Sequence, residues 1–222
     1  MRPSFRTIGE TKAAFFPAAL YLRTANALAG RAALVQACDM RTRDINVRAA
    51  TPRDAEAIAR VYVESWRDAY PGILPAKLLL TLTVPGQAAR WKSAIAAKGR
   101  EGVLVAEREG DGVIGMTSFG PARDAGLGFD SEIYTLYVHP LTTGEGVGRT
   151  LLAGGFDALA RRGHAGCIIW AHAKNPARFF YEAMGGKLVA ERDARLMGMQ
   201  VPEAAFGWPA LVLAKPNAPA RG

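Results

Sequence analysis

Ile133-Tyr134-Thr135-Leu136-Tyr137-Val138 is an apolar, aromatic and β-branched run closed by Pro140, which predicts a buried strand. It feeds a loop holding Gly144, Gly146 and Gly148. Beyond the loop, Val147, Leu151, Leu152, Phe156 and Leu159 recur at helical spacing until Gly163. Strand, glycine loop and helix start in that order aim backbone N–H groups and the positive end of a helix dipole at one point, an arrangement suited to a phosphate. Upstream, Ala55, Ile58, Ala59, Tyr62, Val63 and Trp66 hold one helical face. Thr51, Pro52 and Asp54 read as N-cap, N1 and N3 of a capping-box-like start. A further helix is expected over 87–97 with Trp91 and Ile95. Strands are expected over 103–107 and 113–119, joined by the hairpin signal Glu109-Gly110-Asp111-Gly112. Downstream, a short buried strand at 167–171 and two more at 188–191 and 210–213 complete the pattern. The pair Gly154-Gly155 inside the central helix costs about 1 kcal/mol per residue relative to Ala, so close packing is expected there.

Two phosphate-loop patterns are excluded by spacing. A nucleotide P-loop needs G-x-x-x-x-G-K-[ST], whereas Gly144 to Thr150 is one residue short and carries Arg149 in place of lysine. The dinucleotide pattern G-x-G-x-x-G fails because Gly144, Gly146 and Gly148 are spaced by two throughout. What remains, Thr143-Gly144-Glu145-Gly146-Val147-Gly148, resembles the [Q/R]-x-x-G-x-[G/A] pyrophosphate loop of the GNAT N-acetyltransferase superfamily. Thr143 stands where Gln or Arg is usual, and Glu145 where a base is common and where it would repel phosphate. Asn175-Pro176-Ala177-Arg178-Phe179-Phe180-Tyr181-Glu182-Ala183-Met184-Gly185-Gly186 resembles the family's second motif, N-x-x-A-x-x-F-Y-E-x-x-G-F, with Gly186 in the place of Phe. The resemblance runs from about Ile45 to Leu213. It takes 47–54 as first strand and helix entry, and Ser65-Trp66-Arg67-Asp68-Ala69-Tyr70-Pro71-Gly72-Ile73-Leu74-Pro75 as a segment on the acceptor side.

The resemblance implies an α/β fold in three layers, with a mixed, mostly antiparallel sheet flanked by helices and splayed around the cofactor. It implies transfer of an acetyl group from acetyl-CoA to a primary amine by direct attack. Leu136, Tyr137 and Val138 are expected along the pantetheine arm. Thr143, Gly144, Gly146, Val147, Gly148 and Arg149 are expected at the pyrophosphate. Asn175 is either a cofactor-side residue or an ordinary N-cap before Pro176. Tyr181 matches the tyrosine that protonates the leaving thiolate. Glu132, four residues before Leu136, matches the position of a glutamate base in histone-type members. Clean alternation would set Glu132, Tyr134 and Leu136 on one face of the strand. Trp66, Tyr70 and His172 are placed on the acceptor side, with Trp170 beside them. Three alternatives stay open: another acyl donor, an O-acceptor, or a module that binds acyl-CoA without catalysis.

Composition narrows the setting. The 222 residues are 50% apolar, enough for one domain of about 170 residues plus ends. The net charge of +8 invites a nucleic-acid partner, but residues 1–43 hold seven of the Arg and Lys against only Glu10 and Asp39. Basicity therefore belongs mainly to the extension, and no nucleic acid is expected. Arg23 and Arg31 interrupt the apolar stretch 13–38, so no membrane span is expected. Cys38 and Cys167 fit neither a disulfide framework nor a metal set, and His139, His164 and His172 have no ligand spacing. A reducing, cytoplasmic setting without a metal follows. The division expected is an extension at 1–43, an acetyltransferase domain at 44–214 and a disordered tail at 215–222. The extension reads as a packed or surface-lying helix, a targeting segment, or a start at Met40. The acceptor is a small molecule or a peptide amine, and a homodimer is left open.

Overall fold

The computed structural model describes residues 44–97, 99–196 and 199–213. The extension expected at 1–43 and the tail at 215–222 lie outside these residues. A single seven-stranded sheet runs β1 (Asn46–Ala49), β2 (Gly102–Arg108), β3 (Gly112–Pro121), β4 (Ser131–Val138), β5 (Cys167–His172), β6 (Lys187–Leu196) and β7 (Met199–Trp208). Its spatial order is β1-β2-β3-β4-β5-β7-β6. All neighbours are antiparallel except β4 and β5. Among the described residues five α-helices accompany it: α1 (Ala55–Ala69), α2 (Ala76–Thr81), α3 (Val84–Ala96), α4 (Val147–Ala160) and α5 (Ala177–Ala183). The α/β, mostly antiparallel architecture expected from the sequence is the one observed.

Local chemistry explains where the helices start. Thr51 N–H donates to Asp54 Oδ2 at 2.7 Å, and the same carboxylate is held by Arg48 at 2.8 and 2.9 Å. The predicted cap of α1 is thus fastened to β1. Ile58, Val61, Val105 and Met116 form the core on the α1 face. Leu152, Phe156, Leu159, Ile133 and Phe206 form it on the α4 face, each buried large side chain contributing about 1.5–3 kcal/mol. The Gly154-Gly155 pair has its reason here. A Cβ at Gly154 would stand 3.0 Å from Val47 Cγ1, and one at Gly155 would stand 2.9 Å from Ile133 Cδ1. These glycines let α4 lie close on the sheet.

Two features of the sheet make the site. On β4, Thr135 pairs with Ser118 and Ile133 with Phe119, which leaves Tyr134 without a partner on β3. This bulge breaks the alternation. Ile133 and Leu136 both pack on the α4 side, while Tyr137 packs against the α1 side, so the expected grouping of Glu132, Tyr134 and Leu136 on one face does not hold. The second feature is the β4–β5 pair, which is joined only at Ser131–Cys167, Glu132–Ile168 and Ile133–Ile169. Past that point the strands part and a cleft opens between them.

The sheet also differs from expectation at its far edge. No strand forms over 210–213; the closing strand is β7, hydrogen-bonded between β5 and β6. Its sequence, Met199-Gln200-Val201-Pro202-Glu203-Ala204-Ala205-Phe206-Gly207-Trp208, carries a proline and small residues that lower strand propensity. Pro202 is tolerated because Glu203 already pairs with His172, the last residue of β5. Cys167 is buried and its thiol is pushed up to about 12 by that burial, so it is a packing residue.

Candidate active site

The cleft between β4 and β5 is a cavity of about 590 Å³, within the range of small-molecule sites. One wall is the diverging part of β4, Thr135 to Val138. The opposite wall is Ile169 to Ala171 of β5 with Asn175 and α5. The near end is the glycine loop, and the far side is the last turn of α1. Of the residues singled out in the sequence, Leu136, Tyr137, Val138, Thr143, Gly144, Gly146, Gly148, Arg149, Asn175, Tyr181 and Tyr70 all line this one cavity. They come from segments as distant as α1 and α5, so their convergence is a property of the fold.

The glycine loop is shaped for an anion. Gly144 and Gly146 have φ of +83° and +86°, values that cost any other residue about 1–2 kcal/mol. They turn the chain into α4 with the first-turn N–H groups of Val147 and Gly148 lacking partners inside the helix, at the end where its dipole is positive. Val147 contributes backbone only, because its side chain is buried beside Ile114 and Leu151. Gly148 keeps the floor low: a Cβ there would meet Phe180 Cζ at 3.3 Å and Val138 Cγ2 at 3.6 Å. Arg149 reaches Met184 Sδ at 3.4 Å along the same wall. Glu145 does not confront the anion as expected, because Arg108 Nη1 donates to its carboxylate at 2.6 Å.

Tyr181 sits on the opposite wall, 4% exposed. Its ring is packed by Phe180, Phe206 and Trp208. Burial pushes its hydroxyl well above the ordinary tyrosine range, with Tyr70 as a smaller cause. Burial likewise raises Tyr70 and Tyr137, and takes Tyr62 to about 12. Below about pH 10 folded and unfolded chains carry the same protonated phenols; above it the unfolded chain loses protons that the folded one keeps. Melting temperature is therefore expected to fall as pH rises from about 9.5 to about 11, with tyrosinate absorbance near 295 nm appearing on unfolding. Full ionisation of these phenols before the melt would contradict their burial.

Asn175 makes the helix-start bond that the sequence offered as one reading, and it also lines the cavity. Its Oδ1 accepts from Ala177 N–H at 2.9 Å, capping α5, and its Nδ2 donates to Tyr70 Oη at 3.1 Å. Trp66, His172 and Glu132 lie outside the cavity lining. Trp66 is core: it stacks between Tyr62 and Tyr70, and its Nε1 donates to Tyr137 Oη at 2.9 Å. His172 lies behind Tyr70, edge-on at 6.5 Å between ring centroids. Its Nδ1 accepts from Lys174 N–H, and burial lowers its pKa, so the neutral ring carries its proton on Nε2.

Glu132 is the clearest correction. It is 1% exposed, at the closed end where β4 and β5 are still paired, and outside the cavity lining. Its carboxylate accepts from the backbone N–H of Arg123 at 3.1 Å and from the Arg123 guanidinium. The Tyr134 bulge lies between it and the open part of β4, which is why counting residues back from Leu136 misplaces it. A group bound in this way is a structural anchor for the loop after β3. Glu132→Gln is expected to lower melting temperature, since it weakens an ion pair whose carboxylate is buried, and to leave the pH profile of turnover unchanged. Recovery of lost turnover at high pH would restore the role of base.

Ser65, Asp68, Phe180 and Met184 also line the cavity; the sequence reading names the segments that hold them but gives these four side chains no role. Ser65 Oγ donates to Val138 O at 2.8 Å, tying α1 to the end of β4. Ser65, Asp68 and Ala69 fall at i, i+3 and i+4, and so do Ala177, Phe180, Tyr181 and Met184 when one more turn is added. These helical faces were present in the sequence.

With this geometry in place, similarity to known proteins decides the family. The model of the Acetyltransferase (GNAT) family matches residues 58–186, which contain the loop, the cleft and Tyr181. The chain belongs to the GNAT acetyltransferase family. An uncharacterized N-acetyltransferase of Bacillus subtilis, YuaI, is 36% identical over 75% of this chain and 94% of its own. Among solved structures, the PaiA N-acetyltransferase of Thermoplasma acidophilum, in complex with coenzyme A, matches with a TM-score of 0.55 at 20% identity, covering 72% of this chain and 97% of that one. The ribosomal-protein-alanine N-acetyltransferase of Brucella melitensis matches with a TM-score of 0.57 at 27% identity, covering 73% and 98%. This GNAT chain is thus an acyltransferase of the N-acetyltransferase type. Among the described residues, no helix is long and apolar enough to cross a membrane.

Proposed function

We propose that the chain transfers an acetyl group from acetyl-CoA to a primary amine by direct attack, within the β4–β5 cleft. One observation carries this reading: a positive-φ glycine loop at the start of α4 and a buried tyrosine line the same cavity, which is open along the unpaired half of β4. The residues fit the cofactor. The first turn of α4 and Arg149 hold the pyrophosphate, and a Cβ at Gly148 would occupy the floor beneath it. Backbone groups of Leu136, Tyr137 and Val138 lie along the arm. The cofactor supplies the acetyl thioester; the protein supplies orientation and proton management.

Tyr181 donates a hydrogen bond to the leaving sulfur. A thiol has a pKa near 8.5, well below this buried phenol, so complete transfer from Tyr181 is uphill. The phenol therefore steadies the departing thiolate, and the proton shed by the amine closes the balance. On the other side of the cavity stand Asp68 and the C-terminal turn of α1, both favourable to a cation. This is where we place the incoming ammonium, which gives one proton to solvent water to expose its lone pair; the second proton, shed on attack, ends on the thiolate. The idle acyl-CoA-binding alternative loses the support of Glu145, whose charge is taken up by Arg108.

The acceptor classes to screen are polyamine, aminoglycoside, amino acid and a peptide beginning with alanine; the last is suggested by the Brucella relative. Calorimetric titration with acetyl-CoA, followed by thiol release across that panel, tests the reading. One-to-one binding with amine-dependent thiol release is expected. Binding without turnover on any amine would favour the non-catalytic module.

A further inference from the structure

Tyr70 is 8% exposed yet lines the cleft. Its ring is held between Trp66 and His172, with centroids 4.8 and 6.5 Å away. Its hydroxyl oxygen accepts from Asn175 Nδ2 at 3.1 Å. The direction of that bond is fixed by the other end of the amide. Asn175 Oδ1 is occupied by the Ala177 N–H, so the amide nitrogen faces Tyr70. An amide nitrogen is a donor only, so the Tyr70 O–H cannot be given to Asn175. No described residue accepts it. A buried hydroxyl with an unspent proton is unfavourable unless something in the site receives it. Tyr70, Tyr137 and Tyr181 all line this one cavity.

We propose that Tyr70 is a further catalytic residue, whose O–H donates to the carbonyl oxygen of the acetyl group when acetyl-CoA is bound. This rests on the cofactor reading above. The chemistry selects the carbonyl over the amine. An attacking amine spends its lone pair on the new C–N bond and offers only N–H groups, which a phenol proton cannot approach. The thioester develops negative charge at two atoms, sulfur and oxygen, and the cavity presents two phenols. Tyr181 serves the sulfur as the C–S bond breaks. Tyr70 serves the oxygen as the carbonyl lengthens, sharing it with backbone N–H groups of β4. Tyr70 neither gains nor loses a proton through the reaction; its bond strengthens as charge accumulates and relaxes when the amide carbonyl forms. Asn175, by holding the Tyr70 oxygen from behind, is a positioning residue.

Isotope-edited infrared spectroscopy tests this without an acceptor. Acetyl-CoA labelled with ¹³C at the carbonyl is bound to the full chain, and the carbonyl band is compared with that of free ligand. Binding to the wild type is expected to move the band to lower wavenumber. Tyr70→Phe keeps the ring and removes the donor, so the band is expected to move back up with calorimetric affinity little changed. Asn175→Asp keeps the Tyr70 hydroxyl but offers it a carboxylate acceptor. The O–H is then drawn away from the ligand, and the band is again expected to rise. With any amine that is turned over, Tyr70→Phe is expected to lower kcat on the order of 100-fold, as loss of one oxyanion donor does. A band that stays at its wild-type position in either variant, with ligand bound, overturns the role of Tyr70. Failure of the wild type to bind acetyl-CoA overturns the cofactor reading itself.

Discussion

Replacing Tyr181 with phenylalanine is expected to lower kcat by about 10- to 1000-fold, in and just below the range for general acid catalysis because a hydrogen bond to the departing thiolate is lost, while acetyl-CoA affinity barely moves. The substitution is nearly silent for packing, because the ring contacts with Phe180, Phe206 and Trp208 are all retained. Only the hydroxyl is lost. Because burial keeps that hydroxyl protonated, its own ionisation sets no alkaline limb below about pH 10, and the wild-type and variant pH profiles should run parallel up to that point. Turnover under conditions where chemistry limits the rate is the measurement. An unchanged kcat would return Tyr181 to the core cluster it is packed in.

Gly148→Val is expected to cost far more coenzyme A affinity than melting temperature. The choice of Gly148 over its neighbours follows from backbone conformation. Gly144 and Gly146 sit at positive φ, so any side chain there adds strain and confuses a binding defect with a folding defect. Gly148 is helical and carries no such strain. What stands 3.3 Å from its would-be Cβ is Phe180, a wall of the cavity. The added valine methyls fill the floor between α4 and α5, where an anion approaching the first-turn N–H groups has to lie. Affinity for coenzyme A, read by calorimetry alongside a thermal melt, separates the two effects. Equal affinity in both proteins would remove the loop from the binding site.

The parts of this molecule legible in sequence are those where a local pattern and the tertiary role coincide. The glycine loop needs positive φ and an open floor, and both needs are written as glycine. Asn175 caps its helix and reaches Tyr70 from one position, so the N-cap rule names a residue that also lines the cavity. Tyr181 falls within a motif whose spacing is helical. The misreadings arise where tertiary structure overrides the local signal. The bulge at Tyr134 is set by pairing with β3 and leaves no mark in β4 itself, so plain alternation groups Glu132 with Leu136, and an offset counted back from Leu136 does not show that Glu132 lies outside the cleft. The strand β7 is stabilised between β5 and β6 despite Pro202 and a run of small residues, and propensity looked past it to 210–213. Gly186, which departs from the family motif, is explained by a residue far away in sequence: a Cβ there would meet Trp208 at 2.6 Å, so the indole already fills the space. Trp66 has the composition of a binding-wall residue and the position of a core one; only its bond to Tyr137 distinguishes the two.

Hydrogen exchange with and without acetyl-CoA tests most directly whether the cleft between β4 and β5 is the acetyl-CoA site. Binding there predicts slower exchange of amides at the start of α4, at Val147 and Gly148, and along residues 136–138 of β4, with little change in β1 and β2 at the far edge of the sheet. Protection absent from the start of α4 at saturating acetyl-CoA, or confined to the far edge, would contradict it.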